Sequence, residues 1–172
     1  MSEVQEFKME RVFRAPIELV WQAWTDPVLM DQWFGPKGCE TQILDFTLAP
    51  GGTSFYQMRF GDAPPMYGKY FYETIEEPNY LSWRHGFADA EGNLIRHPAN
   101  PDWPEILRCE VWFAAASDTE TRMVFLWTPV DANEAERASF EAGRAGALGG
   151  WTNSFDQLDD LLDTIKQEGT RQ

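Results

Sequence analysis

The sequence predicts an α+β fold in which a strongly curved antiparallel sheet of about six or seven strands wraps around one long C-terminal helix. Three observations carry this expectation. From Thr41 to Thr128, apolar and polar residues alternate in short runs separated by Gly, Pro and Asn turn signals, the pattern of an antiparallel meander. Trp151, Phe155, Leu158, Leu162 and Ile165 then fall at spacings of 4, 3, 4 and 3, a single apolar stripe on a helix. Between the first strand and the meander lie two short apolar stripes at helical spacing, each beginning at a proline.

The elements follow in order. Phe7 to Phe13 alternates as a strand and ends at Ala15-Pro16. Ile17, Val20, Trp21 and Trp24 form the first helical stripe. Asp26-Pro27 breaks that helix and opens the next, with Asp26 as N-cap and Leu29, Met30 and Trp33 as its apolar face. Gly35-Pro36-Lys37-Gly38 closes it. The β runs are then Thr41 to Leu48, Thr53 to Phe60, Tyr67 to Ile75 and Tyr80 to His85. Gly86 to Glu105, with its scattered Gly, Pro and charge, reads as a long surface loop, of a length that is often functional or mobile. Leu107 to Phe113 and Thr121 to Thr128 complete the sheet. A helix capped by Asn133 or Asp131 runs to the chain's last stripe. It is small-sided from Ala138 to Gly150, which a helix tolerates where something approaches closely or where it must kink.

The chain has 172 residues, of which 14 are basic and 28 acidic, for a net charge of −14. That length suits one domain, spanning 1–172. The acidity argues against nucleic acid, which needs clustered Lys and Arg, and against an anionic membrane surface. The first fourteen residues have no apolar core of a secretory signal, and no run is long enough to span a membrane, so a cytoplasmic location is expected. Cys39 and Cys109 form no ligand pair and read as reduced, partly buried thiols. The excess is in aromatics: 8 Trp, 5 Tyr and 12 Phe.

Chemistry-bearing motifs are sparse. There is no nucleophile elbow, no phosphate loop and no metal-ligand spacing, so neither metal nor cofactor is expected. His85 alternates with Leu81 and Trp83, which places it on the inward strand face, where it would act as a general base or ligand anchor. The simpler reading, a strand-end histidine meeting solvent or a backbone carbonyl, is preferred. His97, beside Pro98, reads as solvated. Arg84 and Arg108 would anchor a carboxylate if they pointed inward, but their neighbours point them out. Trp103 and Trp112 alternate with polar residues and read as exposed contact residues of a dimer.

Phe13-Arg14-Ala15-Pro16, Val20-Trp21, Thr25-Asp26-Pro27 and Gln32-Trp33-Phe34-Gly35-Pro36 resemble the opening of the START/Bet v 1-like (SRPBCC) superfamily. Within it, the chain is similar to the bacterial branch related to the C-terminal domain of the activator of heat-shock protein 90 ATPase. Asp45 to Gly52 matches that branch's strand-turn pattern, and Gly149-Gly150-Trp151-Thr152 with Phe155, Leu158 and Leu162 matches its last helix. The resemblance covers about Phe7 to Ile165 and implies a helix-grip fold with a hydrophobic cavity. The chain departs from the family in its Gly86 to Glu105 loop, which is longer than usual.

If alternation holds, the wall between sheet and helix takes Phe46, Leu48, Tyr56 and Met58 from the first strands of the meander. It takes Tyr70, Tyr72, Trp83 and His85 from the middle strands, and Phe125, Trp127, Trp151 and Phe155 from the last strand and helix. Buried Tyr and Trp each need a hydrogen-bond partner, which favours a partly wet cavity over a solid core. The leading expectation is therefore binding of a small hydrophobic or aromatic molecule. The resemblance also implies two alternatives. One is a cochaperone acting on a chaperone ATPase, weakened because the eukaryotic activators carry a further N-terminal domain that this sequence is expected to lack. The other is a cyclase or aromatase using His85 with Tyr56 or Tyr72.

Overall fold

The protein is described by a computed structural model that covers residues 6–35 and 38–169. Pro36 and Lys37, within the turn expected over Gly35–Gly38, lie outside the described residues, as do the first five and last three positions. Strand β1 (Phe7–Phe13) leads into helices α1 (Ile17–Thr25) and α2 (Pro27–Trp33). Strands β2 (Cys39–Phe46), β3 (Thr53–Phe60), β4 (Met66–Glu76) and β5 (Tyr80–Ala88) follow. After them come β6 (Leu94–Ile95), β7 (Leu107–Ala115), β8 (Thr121–Pro129) and helices α3 (Glu134–Ala142) and α4 (Arg144–Gly169).

The two short helices begin where the prolines put them. Asp26 caps α2 through its side chain, which accepts from the Val28 N–H at 2.9 Å. Trp33 turns back and donates its indole N–H to the Ala23 carbonyl at 2.9 Å, tying α2 to α1. Trp24 and Trp33 pack 4.8 Å apart, and Trp24 also meets Trp83, Phe113 and Phe155. Much of the aromatic excess is thus consumed where the short helices meet the sheet.

The sheet is antiparallel throughout, with strands in the order β1-β8-β7-β5-β4-β3-β2 and β6 paired to β5 off that path. The first strand joins the far end beside the last, with Phe7 opposite Trp127 and Phe13 opposite Thr121. A bulge between Ile43 and Asp45 shifts β2 by one residue, so Ile43 and Phe46 both pack inward while Leu44 is exposed. Simple alternation would have grouped Leu44 with Phe46.

One expectation is corrected and another is made specific. The stretch read as a loop from Gly86 to Glu105 begins as sheet: Phe87 pairs with Ile95 and Ala88 with Leu94, around a turn in which Asp89 accepts from the Glu91 and Asn93 amides. Only the stretch after Ile95 is a strap without regular structure. The C-terminal helix is divided at Gly143, within the small-sided stretch where a close approach or a kink is expected. A Cβ there would lie 2.9 Å from a ring carbon of Trp103, so glycine leaves room for the indole on the helix junction. Asn133 caps α3 in a capping box with Glu136.

Helix α4 lies along the concave face with Phe155, Leu158 and Leu162 fully buried and Leu161 beside them. Phe155 is the centre of this contact, with the rings of Phe13, Trp24, Phe125 and Trp151 around it. The opposite helix face is acidic but not merely solvated. Arg11 on β1 donates to Asp156 at 2.8 Å and Asp159 at 2.5 Å, and the Lys166 ammonium donates to the Arg14 carbonyl. Ser154 accepts from the Gly35 N–H at 3.2 Å and donates to its carbonyl at 2.9 Å, fastening the helix to the segment after α2. No helix among the described residues is long and apolar enough to cross a membrane.

Truncating Phe155 to Ala should cost about 3–5 kcal/mol, since the rings around it cannot collapse into the void. Urea denaturation checks this, and a loss under about 1 kcal/mol would show that α4 is held by its ion pairs instead.

Candidate functional site

Between the strap, the inner faces of β3, β5 and β8, and the first turns of α4 lies a cavity of about 390 Å³. That is within the range of small-molecule sites, roughly 300–1,000 Å³. Each wall has a local cause. Strand β3 supplies Tyr56 and Met58, β5 supplies His85 and Phe87, and β8 supplies Trp127, each at an inward position of its strand. The strap supplies His97, Asn100, Trp103 and Glu105. Helix α4 supplies Ala147, Gly150, Trp151 and Ser154, at spacings that keep them on one face.

The helical wall accounts for Ala147 and Gly150 of the small-sided stretch, whereas Ala145, Gly146 and Gly149 are exposed. A Cβ built at Gly150 would meet nothing within 4 Å, so the space beside it is open, not closed by tight packing. Gly150 and Ala147 face the cavity, and larger residues one turn later fill the core.

Tyr56 and His85 form the polar centre of the sheet wall. The Tyr56 hydroxyl and His85 Nε2 share a short hydrogen bond across two strand intervals, because Gly68 lies between them. A Cβ on Gly68 would sit 2.2 Å from the Tyr56 hydroxyl. Only a glycine on β4 lets the phenol lie flat across the sheet and reach β5. Burial holds the His85 imidazole down to about 4, against an ordinary 6.5, and raises the Tyr56 phenol well above its usual range. His85 Nδ1 is buried without a partner among the described residues.

The sequence-expected wall residues divide into three groups. Tyr56, Met58, His85, Trp127 and Trp151 line this cavity. Tyr70, Tyr72, Trp83, Phe125 and Phe155 are buried behind it, packed on one another and on the short helices. Phe46 and Leu48 are half-buried at the margin of the core, with Phe46 against Tyr72. The preferred reading of His85 as a strand-end residue is corrected, because β5 runs on to Ala88 and the imidazole faces inward. His97 is not simply solvated: its ring meets Phe87 at 4.5 Å and Trp103 at 6.3 Å. Trp103 is half-buried against Trp127 and Phe140. Arg84 and Arg108 do point outward, both pairing with Glu73. Phe34, Phe87 and the strap residues were missed. Phe87 had a legible signal, the continued alternation from His85.

Replacing Gly68 by Ala should break the Tyr56–His85 bond, read as a shifted His85 imidazole resonance, while alanine at Gly146, exposed on α4 with open space around an added Cβ, leaves that resonance in place. The unfolded chain binds a proton at His85 near pH 6.5 and the folded chain only near 4. Between those values the unfolded state holds more protons, so stability falls as pH drops through this window and is fully present above it. Relative to His85→Gln, the wild type should lose up to roughly 2 kcal/mol more between about pH 7 and pH 5 in urea titrations. Equal losses would place the imidazole in water.

The sequence matches the family described as Activator of Hsp90 ATPase homolog 1-like protein over residues 14–163. Among solved structures, a crystal structure of a Mycobacterium smegmatis protein aligns with a TM-score of 0.73 and 26% identity, covering 94% of this chain and 96% of that one. A solution structure of an Arthrobacter aurescens protein aligns with a TM-score of 0.77 and 25% identity, over 92% and 86% of the two chains. A Nitrosomonas europaea protein shares the fold at 22% identity and a TM-score of 0.74, over 94% and 96%. No curated protein matches the sequence. The motifs around Pro16, Pro27 and Gly150 thus lie inside a match that runs almost the length of the chain, and the chain belongs to the activator of Hsp90 ATPase homolog 1-like family.

Proposed function

We propose that this protein binds a small hydrophobic or aromatic molecule in the cavity between the sheet and α4. The observation that carries the reading is the cavity-facing stripe of α4. A glycine inside a helix costs about 0.5–1 kcal/mol relative to alanine. Gly150 bears that cost where an added Cβ would meet open space, so tight packing does not account for it. Its effect is to keep room beside Trp151, Trp127 and Phe34, whose apolar surfaces form most of the wall. Open apolar volume of this size stabilises nothing by itself and gains free energy when an apolar guest leaves water to fill it.

The cyclase reading is less well supported by the same wall. A general acid–base pair works best with pKa values near the ambient pH. Burial moves His85 and Tyr56 in opposite directions away from neutrality, so the imidazole stays neutral and the phenol keeps its proton. The pair is better suited to holding a guest than to moving a proton. The cochaperone reading rests on family membership alone, and stimulation of a purified bacterial Hsp90 ATPase would support it directly.

The test is a tryptophan-fluorescence titration against a panel of lipids, polyketides and flavonoid-like compounds, with Gly150→Leu as control. The leucine has space to enter the cavity and improves helix propensity, so the variant should fold with undiminished thermal stability and lose saturable binding. Saturable binding that survives in Gly150→Leu, or none in the wild type, would sink the proposal.

A further inference from the structure

The cavity has two histidines, His85 on the sheet wall and His97 on the strap, with Phe87 between them: its ring is 6.5 Å from His85 and 4.5 Å from His97. Their hydrogen bonds are committed differently. His85 Nε2 is taken by Tyr56. On the strap, His97 Nδ1 accepts the Ala99 backbone N–H at 3.0 Å. An accepting Nδ1 in a neutral imidazole leaves the proton on Nε2. That N–H is on the ring edge away from the Ala99 amide and has no protein partner among the described residues. Burial lowers the His97 pKa, which keeps the ring neutral.

Of the other polar groups around the cavity, His85 Nδ1 lacks a partner among the described residues but is buried beneath the cavity surface, and the rest are spoken for. Asn100 donates to Ser139 at 2.8 Å and accepts from the Asp102 N–H. Ser154 is paired in both directions with Gly35. Glu105 is held by Arg96 at 2.7 Å, and Arg96 also reaches Glu136 at 3.5 Å. Among the described lining residues there is thus one carboxylate, already paired, and no ammonium or guanidinium. A carboxylate guest would lose its hydration without gaining a cation, in a chain of net charge −14. A purely hydrocarbon guest would leave the His97 donor unsatisfied once water is expelled. The rings of Trp103, Trp127 and Trp151 favour a flat partner.

Resting on the binding role argued above, we propose that His97 selects the ligand, donating from Nε2 to the carbonyl oxygen of an uncharged aromatic molecule. The residue is on the strap, outside the regular strands and helices, with its ring held against Phe87 and Trp103.

Calorimetric titration with 2-acetylnaphthalene, 2-ethylnaphthalene and 2-naphthoate separates the possibilities, because the three share a ring system and differ in the group offered to His97. The ketone should bind about fivefold more tightly than the hydrocarbon, the worth of one neutral hydrogen bond, and the carboxylate most weakly. The carbonyl stretch of the bound ketone should shift to lower frequency than in hydrocarbon solvent. His97→Phe keeps a ring against Phe87 and Trp103 and should erase both the ketone preference and the shift, leaving the hydrocarbon's affinity within about twofold. A preference that survives in His97→Phe, or an unshifted carbonyl in the wild type, overturns the proposal while leaving the cavity reading intact. Failure of all three probes to bind, or binding unaffected by Gly150→Leu, overturns the cavity reading itself.

Discussion

On its inward face helix α4 carries large apolar side chains from Trp151 onward and small ones before it, and the interior takes its shape from that difference. Phe155, Leu158 and Leu162 fill the concave face completely. The same sheet continues past them toward β6 and the strap, where the helix offers only Gly150 and Ala147. A curved sheet cannot close over a helix that has nothing to present, so a space remains, and its size follows from where along the helix the side chains change. The break at Gly143 then allows α3 to turn away and Trp103 to settle on the junction, supplying the wall that the helix does not.

The polar groups obey the same division. Most charges are kept on the outside, in pairs such as Arg11 with Asp156 and Asp159, or Arg108 with Glu73 and Glu110, while the buried Glu136 is held by the α3 capping box and Arg96. The polar groups on the cavity wall itself are mostly uncharged: the Tyr56–His85 pair held together over Gly68, with His85 Nδ1 unpartnered among the described residues, and the Nε2 edge of His97. In a low-dielectric site an unpaired neutral donor is costly enough to favour a guest that satisfies it, yet not so costly that the fold cannot bear it. An ion in the same place would have required a counter-ion built into the wall.

Much of the architecture was legible because its signals are local. The prolines before α1 and α2, the Asp26 cap, the turn signals between strands and the stripe of α4 each act within a few residues. Departures from expectation came where a local pattern met a distant partner. Alternation through β2 is interrupted at Ile43–Asp45 because pairing with β3 shifts there. The close approach or kink expected between Ala138 and Gly150 falls at Gly143 because Trp103, forty residues earlier in the chain, packs there. Gly86 and Gly92 looked like loop punctuation, yet β5 and β6 pair around the turn that holds Gly92.

For the site, the sequence by itself determined which face of most strands turns inward, and so it placed Tyr56 and Trp127 on the inner face and Trp151 on the apolar stripe of α4, while His85 shared the inner face although its preferred reading was a strand end. It did not separate these from Tyr70, Trp83, Phe125 and Phe155, which face the same way but are packed solid. Side-chain alternation depends on the backbone period of a single strand. Whether an inward residue meets a ring or a void depends on the curvature of the whole sheet, the path of the strap and the point at which α4 runs out of large side chains. Those are properties of three segments held together, so the inner surface was written in the sequence while the cavity within it was decided only by the tertiary structure.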